Sequence, residues 1–484
     1  MPNEGLDTVA AEPKVCGWSR FHMNIGSTTG ELGHSLQPRH VAMIALGGVI
    51  GAGLFVGASS AIAAGGPGVV LVYAACGLLV LIIMRMLGEM AVAQPGRGSF
   101  AEYAALGLGP WAGFVIRWLY WYCQMFGVGA ETAAGAKLLH EAGVPGPVWT
   151  IGFGLIGLMT IVNLLSVRAY GELEFWLALL KVSAIGAFIV IGFAFVTALG
   201  PGPSQAVATI TQHGGIFPEG LGGPLAAIPI VIFSMFGSEM ATIAAAESAD
   251  PAANIARAGR SVALRIAVFY VSSVVLIIAI VPWTSIVPGL SPFKAALDVI
   301  GIPGSGRVMS SVVIIAVLSA LNSAIYVSSR MLHELGRSGD GPHFLASTAR
   351  NKTPYVGVLV AFTFGSAAML AQMFANQDMF TLLAGSAGAI MLFIYVLIVA
   401  AQVRLRFRCE AAGIALGFKV WLFPWLSYAT IMLMLGVLAV LASVPGQLLT
   451  LAISATTIAI VFVALWMRRR AEGRMLLLHS TAGE

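Results

Sequence analysis

Leu46-Gly47-Gly48-Val49-Ile50-Gly51-Ala52-Gly53-Leu54-Phe55-Val56-Gly57 lies inside an apolar run from Val41 to Ala63. Such a run is long enough to cross a bilayer, at about 20 residues per crossing. Yet it carries five glycines between positions 47 and 57, and each costs a helix about 1 kcal/mol relative to alanine. The pattern predicts a membrane helix interrupted at mid-depth, with backbone N–H and C=O groups turned toward a cavity. Non-helical backbone is tolerated at that depth only where protein or water satisfies it, so an interruption implies a site. A second reading stands beside it. Gly53 and Gly57 form a small-xxx-small pair that lets a neighbouring helix approach closely.

The rest of the chain places this stretch in a membrane. Its 484 residues are 58% hydrophobic and 10% charged, with a mean hydropathy of +0.91, whereas a soluble domain carries about 25% charged residues. Twelve apolar runs follow one another, at about 40–63, 68–93, 110–139, 148–167, 174–199, 224–246, 262–283, 306–335, 355–375, 380–403, 420–442 and 446–467. The chain therefore reads as an all-α polytopic membrane protein with 12 transmembrane helices. Of the 26 Lys and Arg, 22 fall in alternate segments, among them Arg257, Arg260 and Arg265 after the sixth run and Arg404, Arg406 and Arg408 after the tenth. The opposite segments hold only Lys137, Lys294 and Arg307, and Lys181 sits inside a run. Positive charge marks the cytoplasmic side, which predicts an even number of crossings with both termini in the cytoplasm. The first 36 residues lack the apolar core and small-residue cleavage site of a signal peptide.

Several chemistries are absent. Cys16, Cys76, Cys123 and Cys409 have neither metal spacing nor a disulfide framework. No phosphate loop, zinc spacing or nucleophile elbow occurs, so neither an enzyme nor a cofactor is expected. Arg468-Arg469-Arg470 reads as a cytoplasmic flank facing lipid headgroups, not as a nucleic-acid surface.

A second interruption matches the first. The stretch from Gly200 to Gly223 has no Lys or Arg and divides five helices from the next five. The sixth run then carries Ser234-Met235-Phe236-Gly237-Ser238-Glu239-Met240-Ala241-Thr242, in the position corresponding to the break in helix one. Paired breaks in matching positions of two five-helix halves point to a secondary transporter built from inverted repeats. A broken helix offers N–H groups to a carboxylate and carbonyls to an ammonium. Ile50, Gly51, Ala52 and Gly53, with Phe236, Gly237, Ser238 and Glu239, are thus the candidate contacts for the two charged ends of an amino acid.

Two ionisable groups stand out for proton coupling. Glu239 lies eight residues from the polar boundary at Glu247, and a carboxylate that deep is expensive and usually functional; the alternative is a protonated acid bonded to a neighbouring helix. Lys181 is the lysine inside an apolar run, seven residues past Glu174. It either snorkels toward the cytoplasm or places its ammonium between helices, gaining and losing a proton as the carrier cycles. Glu131 reads as an outer-boundary residue near Lys137, with no role assigned. Phe233, Phe236, Phe393 and Tyr395 are pocket or core aromatics, and Ser319, Asn322 and Ser323 either face a cavity or bond across helices.

At this point the motifs resemble a known family. Arg39-His40-Val41 and Gly48 through Gly57, Met84-Arg85-Met86-Leu87-Gly88-Glu89-Met90-Ala91, Gly98-Ser99-Phe100, Tyr120-Trp121, Gly171-Glu172-Leu173-Glu174-Phe175-Trp176, Lys181-Val182, Leu321-Asn322-Ser323-Ala324 and Lys352-Thr353-Pro354-Tyr355 resemble the amino acid transporter branch of the amino acid–polyamine–organocation superfamily. Thr242 through Ser248 and the Glu172-to-Lys181 block look most like bacterial 4-aminobutyrate permeases. The resemblance implies a LeuT-type fold of two inverted five-helix repeats plus two C-terminal helices. It implies a permease domain over 37–470, with repeats at about 40–199 and 224–403, extra helices at about 420–467, and tails at 1–36 and 471–484. It further implies proton-coupled uptake of an amino acid, with Lys181 where sodium-driven relatives bind a cation. Permeases for aromatic amino acids, proline, asparagine or lysine share most of these motifs, so another amino acid is the alternative substrate. A non-transporting amino acid sensor is a more distant one.

Overall fold

The computed structural model describes residues 50–94, 99–165, 168–200, 202–211, 214–218, 220–239, 251–350, 352–374, 378–414 and 416–481. Every regular element among them is helical. The opening run is not one helix. Helix α1 (Ala52–Phe55) makes a single turn, and α2 (Gly57–Gly65) follows after a distortion at Val56. Gly66, at φ +57°, ends α2 in a conformation that glycine adopts without penalty. Pro67 then fits the first turn leading into α3 (Val69–Ala93), where its missing N–H costs nothing.

Helix α4 (Phe100–Leu108) starts under a cap from the Ser99 side chain, which accepts the Glu102 N–H. Next come α5 (Pro110–Glu141), α6 (Val148–Leu165), α7 (Arg168–Ala194), which runs on into a π turn, and the short α8 (Pro203–Thr211). Helix α9 (Gly222–Ser234) stops where the sequence places the second interruption. Helix α10 (Pro251–Arg265) continues through a π segment, Ile266–Val271, into α11 (Ser272–Ile280). The chain then builds α12 (Pro292–Ile300), α13 (Ser305–Arg337), α14 (Tyr355–Phe374), α15 (Met379–Ala411), α16 (Trp425–Leu441) and α17 (Leu448–Thr481).

Each of the apolar runs overlaps a helix, and eight helical stretches among the described residues are long and apolar enough to cross a membrane. Their apolarity does not mark the centre of the protein, because lipid accepts apolar side chains as readily as a core does. Burial does. In α15, 83% of the apolar window is buried, against 22% in Leu448–Ala471. Helix α15 packs on α5 and α9, while α5 also packs on α13, and α9 on α2. The contact of α15 with α9 is backbone to backbone: a Cβ on Gly388 would lie 1.8 Å from the Pro229 carbonyl oxygen. On the outside, Leu158, Ile161 and Leu165 of α6 and Trp176, Val190 and Phe193 of α7 are exposed, as expected of side chains that meet lipid. The protein is an all-helical, multi-pass membrane protein.

Candidate functional site

Both interruptions face the central helices. At the first, Gly51 is extended, with φ −134° and ψ −152°, and α1 begins only at Ala52. The Ala52 N–H donates to the carboxylate of Glu131 on α5, with N···O distances of 3.1 and 3.2 Å. A carboxylate thus sits where a helix start attracts an anion. Gly51 has no room for a side chain, since a Cβ there would meet Ala320 Cβ at 2.6 Å and Glu131 Oε1 at 2.7 Å. A Cβ on Gly53 would lie 2.7 Å from Ser234 Cα, and one on Gly57 3.3 Å from Ile230 Cγ2. The two readings of the glycines therefore describe different residues. Gly53 and Gly57 carry the close helix approach, and Gly51–Ala52 carries the non-helical backbone whose N–H bonds Glu131. Leu46–Val49 lies outside the described residues.

At the second interruption, α9 gives way after Ser234 to a turn over Met235–Glu239, with Gly237 at φ +91°, a conformation that side chains disfavour. Glu239 is 1% exposed. Its Oε1 accepts the Tyr120 hydroxyl of α5 at 3.1 Å and the Gly237 N–H at 3.3 Å, and its Oε2 accepts the Tyr395 hydroxyl of α15 at 3.5 Å. Phe236, partly exposed, lays its ring 4.9 Å from that of Tyr120. The Ser238 hydroxyl accepts from Arg265 Nη2 at 3.0 Å, and the Ser234 carbonyl accepts from the Tyr270 hydroxyl at 2.8 Å. Met240 through Asp250, with Ala241, Thr242, Glu247 and Ser248, lies outside the described residues.

Lys181 on α7 is fully buried. Its ammonium reaches back to Glu174 Oε1 at 3.4 Å, and the other oxygen of Glu174 accepts the Ser319 hydroxyl of α13 at 2.6 Å. The lysine does point toward the end of its helix as a snorkelling residue would, but both partners lie in the protein interior, where the snorkelling account has no water to reach. Lys181 also interacts electrostatically with Glu131. Glu131 is also the carboxylate bonded at the first interruption.

Sequence reasoning assigned no site role to Glu131, Arg265 or Tyr120, and placed Tyr395 only among pocket or core aromatics. Glu131, read as a boundary residue, is 6% exposed and touches α1. Arg265, counted with the cytoplasmic cations, is 5% exposed and bonds the second interruption. Tyr120 and Tyr395 hold Glu239. For Glu131 and Arg265 the signal was present, a charge inside or at the edge of an apolar run. Asn322 pairs across helices with Asn163 Nδ2 at 2.7 Å, and Phe233 packs on Phe380 with ring centroids 6.4 Å apart.

Residues 40–471 match the family model described as amino acid permease. The chain is similar to the gamma-aminobutyric acid permease of Bacillus subtilis (strain 168), at 39% identity over 90% of this chain and 93% of that protein. It is 42% identical to the gamma-aminobutyric acid permease of Escherichia coli (strain K12), over 88% of this chain and 92% of that one. An aromatic amino acid transport protein of Corynebacterium glutamicum is 36% identical over 85% of this chain and 89% of its own length. Interrupted helices meeting at buried polar groups, in a chain matched along nearly its whole membrane portion, place the protein: it belongs to the amino acid permease family, as a membrane transporter of amino acids and not an enzyme.

Proposed function

We propose that this permease imports 4-aminobutyrate and related ω-amino acids across the cytoplasmic membrane, coupled to protons, by alternating access around the two interruptions. In this reading the chain crosses the membrane 12 times with both termini in the cytoplasm. Two inverted five-helix repeats, at about 40–199 and 224–403, are followed by the helices at about 420–467. The twelve apolar runs, the one-sided cations and the matched breaks support it.

The observation that carries the reading is the bond from the Ala52 N–H to a buried carboxylate. A backbone group that binds one carboxylate can bind another, so the substrate carboxylate takes this N–H, lined by Ile50, Gly51, Ala52 and Gly53. The substrate ammonium lies against Phe236, Gly237, Ser238 and Glu239, where the Glu239 carboxylate and the carbonyls of the turn favour a cation. Lys181 and Glu239 are the proton-coupling groups. When Lys181 loses its proton, Glu131 loses a cationic neighbour, and its hold on Ala52 changes with it. That link connects proton transfer to the first interruption.

The names of two relatives support 4-aminobutyrate; that of a third favours an aromatic amino acid in the same machinery. Uptake of labelled 4-aminobutyrate into proteoliposomes with an inward proton gradient, challenged with unlabelled amino acids, tests both parts. Gradient-dependent uptake blocked best by ω-amino acids is the expected result. Uptake that survives collapse of the gradient overturns the coupling, and uptake of an α-amino acid alone moves the substrate.

A further inference from the structure

The π segment at Ile266–Val271 sits beside the second interruption and sets two side chains on it. In an α-helix, residues five apart point about 140° away from each other. Across a π turn, whose i→i+5 bonds widen the helix, they come onto the same face. Arg265 and Tyr270 are such a pair, flanking and within the segment. Both reach the same turn of backbone: Arg265 Nη2 bonds the Ser238 hydroxyl at 3.0 Å, and the Tyr270 hydroxyl bonds the Ser234 carbonyl at 2.8 Å. These contacts bracket Met235–Glu239 at its two ends. All four residues are buried, Arg265 to 5% exposure and Tyr270 to 1%.

A buried arginine in a membrane is costly and persists where its charge is used. Here its charge-assisted bond falls on the residue next to Glu239, and the arginine also interacts electrostatically with that carboxylate. We infer that Arg265 and Tyr270 form a clasp that holds the Met235–Glu239 turn in its substrate-binding shape, with Arg265, acting through Ser238, as the positioning residue for Glu239. This rests on the reading of the turn as part of the substrate site.

The test uses counterflow exchange, which needs no proton gradient, in proteoliposomes of the full chain with labelled 4-aminobutyrate and labelled α-amino acids in parallel. Ser238→Ala removes the acceptor, Arg265→Gln the charge, and Tyr270→Phe the other arm of the clasp. Ser238→Ala and Arg265→Gln are each expected to raise KM about tenfold, the loss of one charge-assisted bond, and Tyr270→Phe about fivefold, the loss of a neutral one, all with little change in Vmax. Combining Ser238→Ala with Arg265→Gln is expected to cost no more than Arg265→Gln alone, because both remove one interaction. A loss that was only structural would lower the amount of protein in the membrane and Vmax, leaving KM in place. Wild-type KM in Ser238→Ala, or effects that multiply in the double variant, overturns the clasp. Should Arg265→Gln fail to reach the membrane, Tyr270→Phe, at a residue apart from the proposed substrate contacts, decides the matter. A wild-type protein that exchanges none of the amino acids overturns the site reading itself, whereas a working wild type with unmoved variants overturns the clasp alone.

Discussion

The two carboxylate oxygens of Glu131 lie 3.1 and 3.2 Å from the backbone nitrogen of Ala52, a residue 79 positions earlier in the chain. If the substrate carboxylate takes the same N–H, Glu131 and substrate exclude each other there, and Glu131 must move or be neutralised as substrate binds. Glu131→Gln keeps an acceptor oxygen but removes the charge that faces Lys181. Gradient-driven accumulation of labelled substrate is expected to fall about tenfold, a change of about 1.4 kcal/mol, while counterflow persists. Wild-type accumulation would reduce Glu131 to a cap on α1.

Lys181 makes the complementary prediction. Its ammonium is 3.4 Å from Glu174 and within electrostatic reach of Glu131. Removing one partner of a buried ion pair destabilises a protein by about 3–5 kcal/mol unless another proton neutralises what remains. Lys181→Ala is therefore expected to lower the melting temperature and to abolish accumulation against a gradient, with substrate exchange retained. Accumulation at the wild-type level would make the lysine a structural cation.

What the sequence made legible, and what it did not, follows from distance along the chain. The breaks at Gly51 and Gly237 were visible because glycine spacing is local, and Lys181 and Glu239 because a charge inside an apolar run has few explanations. The contacts that assemble the candidate site are not local. Tyr120 meets Glu239 across 119 residues and Tyr395 across 156; no periodicity on any one helix predicts which faces will meet. Arg265 was passed over for another reason. Charge counting groups a cation with its segment whatever it touches, and the π turn beside it, which holds Tyr270, has no signature in the residue pattern.

Gly53→Val separates two consequences that both follow from one contact. A Cβ at this position would lie 2.7 Å from Ser234 Cα, which belongs to the last residue of α9. Because the obstacle is backbone, α9 must shift, at a cost of about 1–3 kcal/mol, and the turn that follows it shifts too. A lower melting temperature together with loss of substrate binding is expected, measured by thermal unfolding and equilibrium binding on the same preparation. Loss of stability with binding intact would confine Gly53 to packing and leave the substrate to Gly51 and Ala52.

At the far end of α5, Lys137 pairs with Asp378 at 3.5 Å and donates to the Pro288 carbonyl at 2.8 Å, while the neighbouring Gly289 N–H donates to Ser59 on α2. This knot ties α2, α5, α15 and the loop before α12 together, and in the proposed orientation it would hold the outer mouth closed. Asp378 also caps α15 by accepting the N–H and hydroxyl of Thr381. Asp378→Asn preserves a capping oxygen, so little stability is lost, but it removes the charge opposite Lys137. Both side chains are about a quarter exposed, 28% and 23%, which limits the pair to about 1 kcal/mol. Opening outward should become easier by that amount, lowering the KM for external substrate about two- to fivefold. High salt should move the wild-type KM in the same direction and leave the variant unmoved, because screening acts only on the charge that is present. An Asp378→Asn protein with wild-type KM and wild-type salt response would assign the pair to capping α15 and free the outer mouth from electrostatic control.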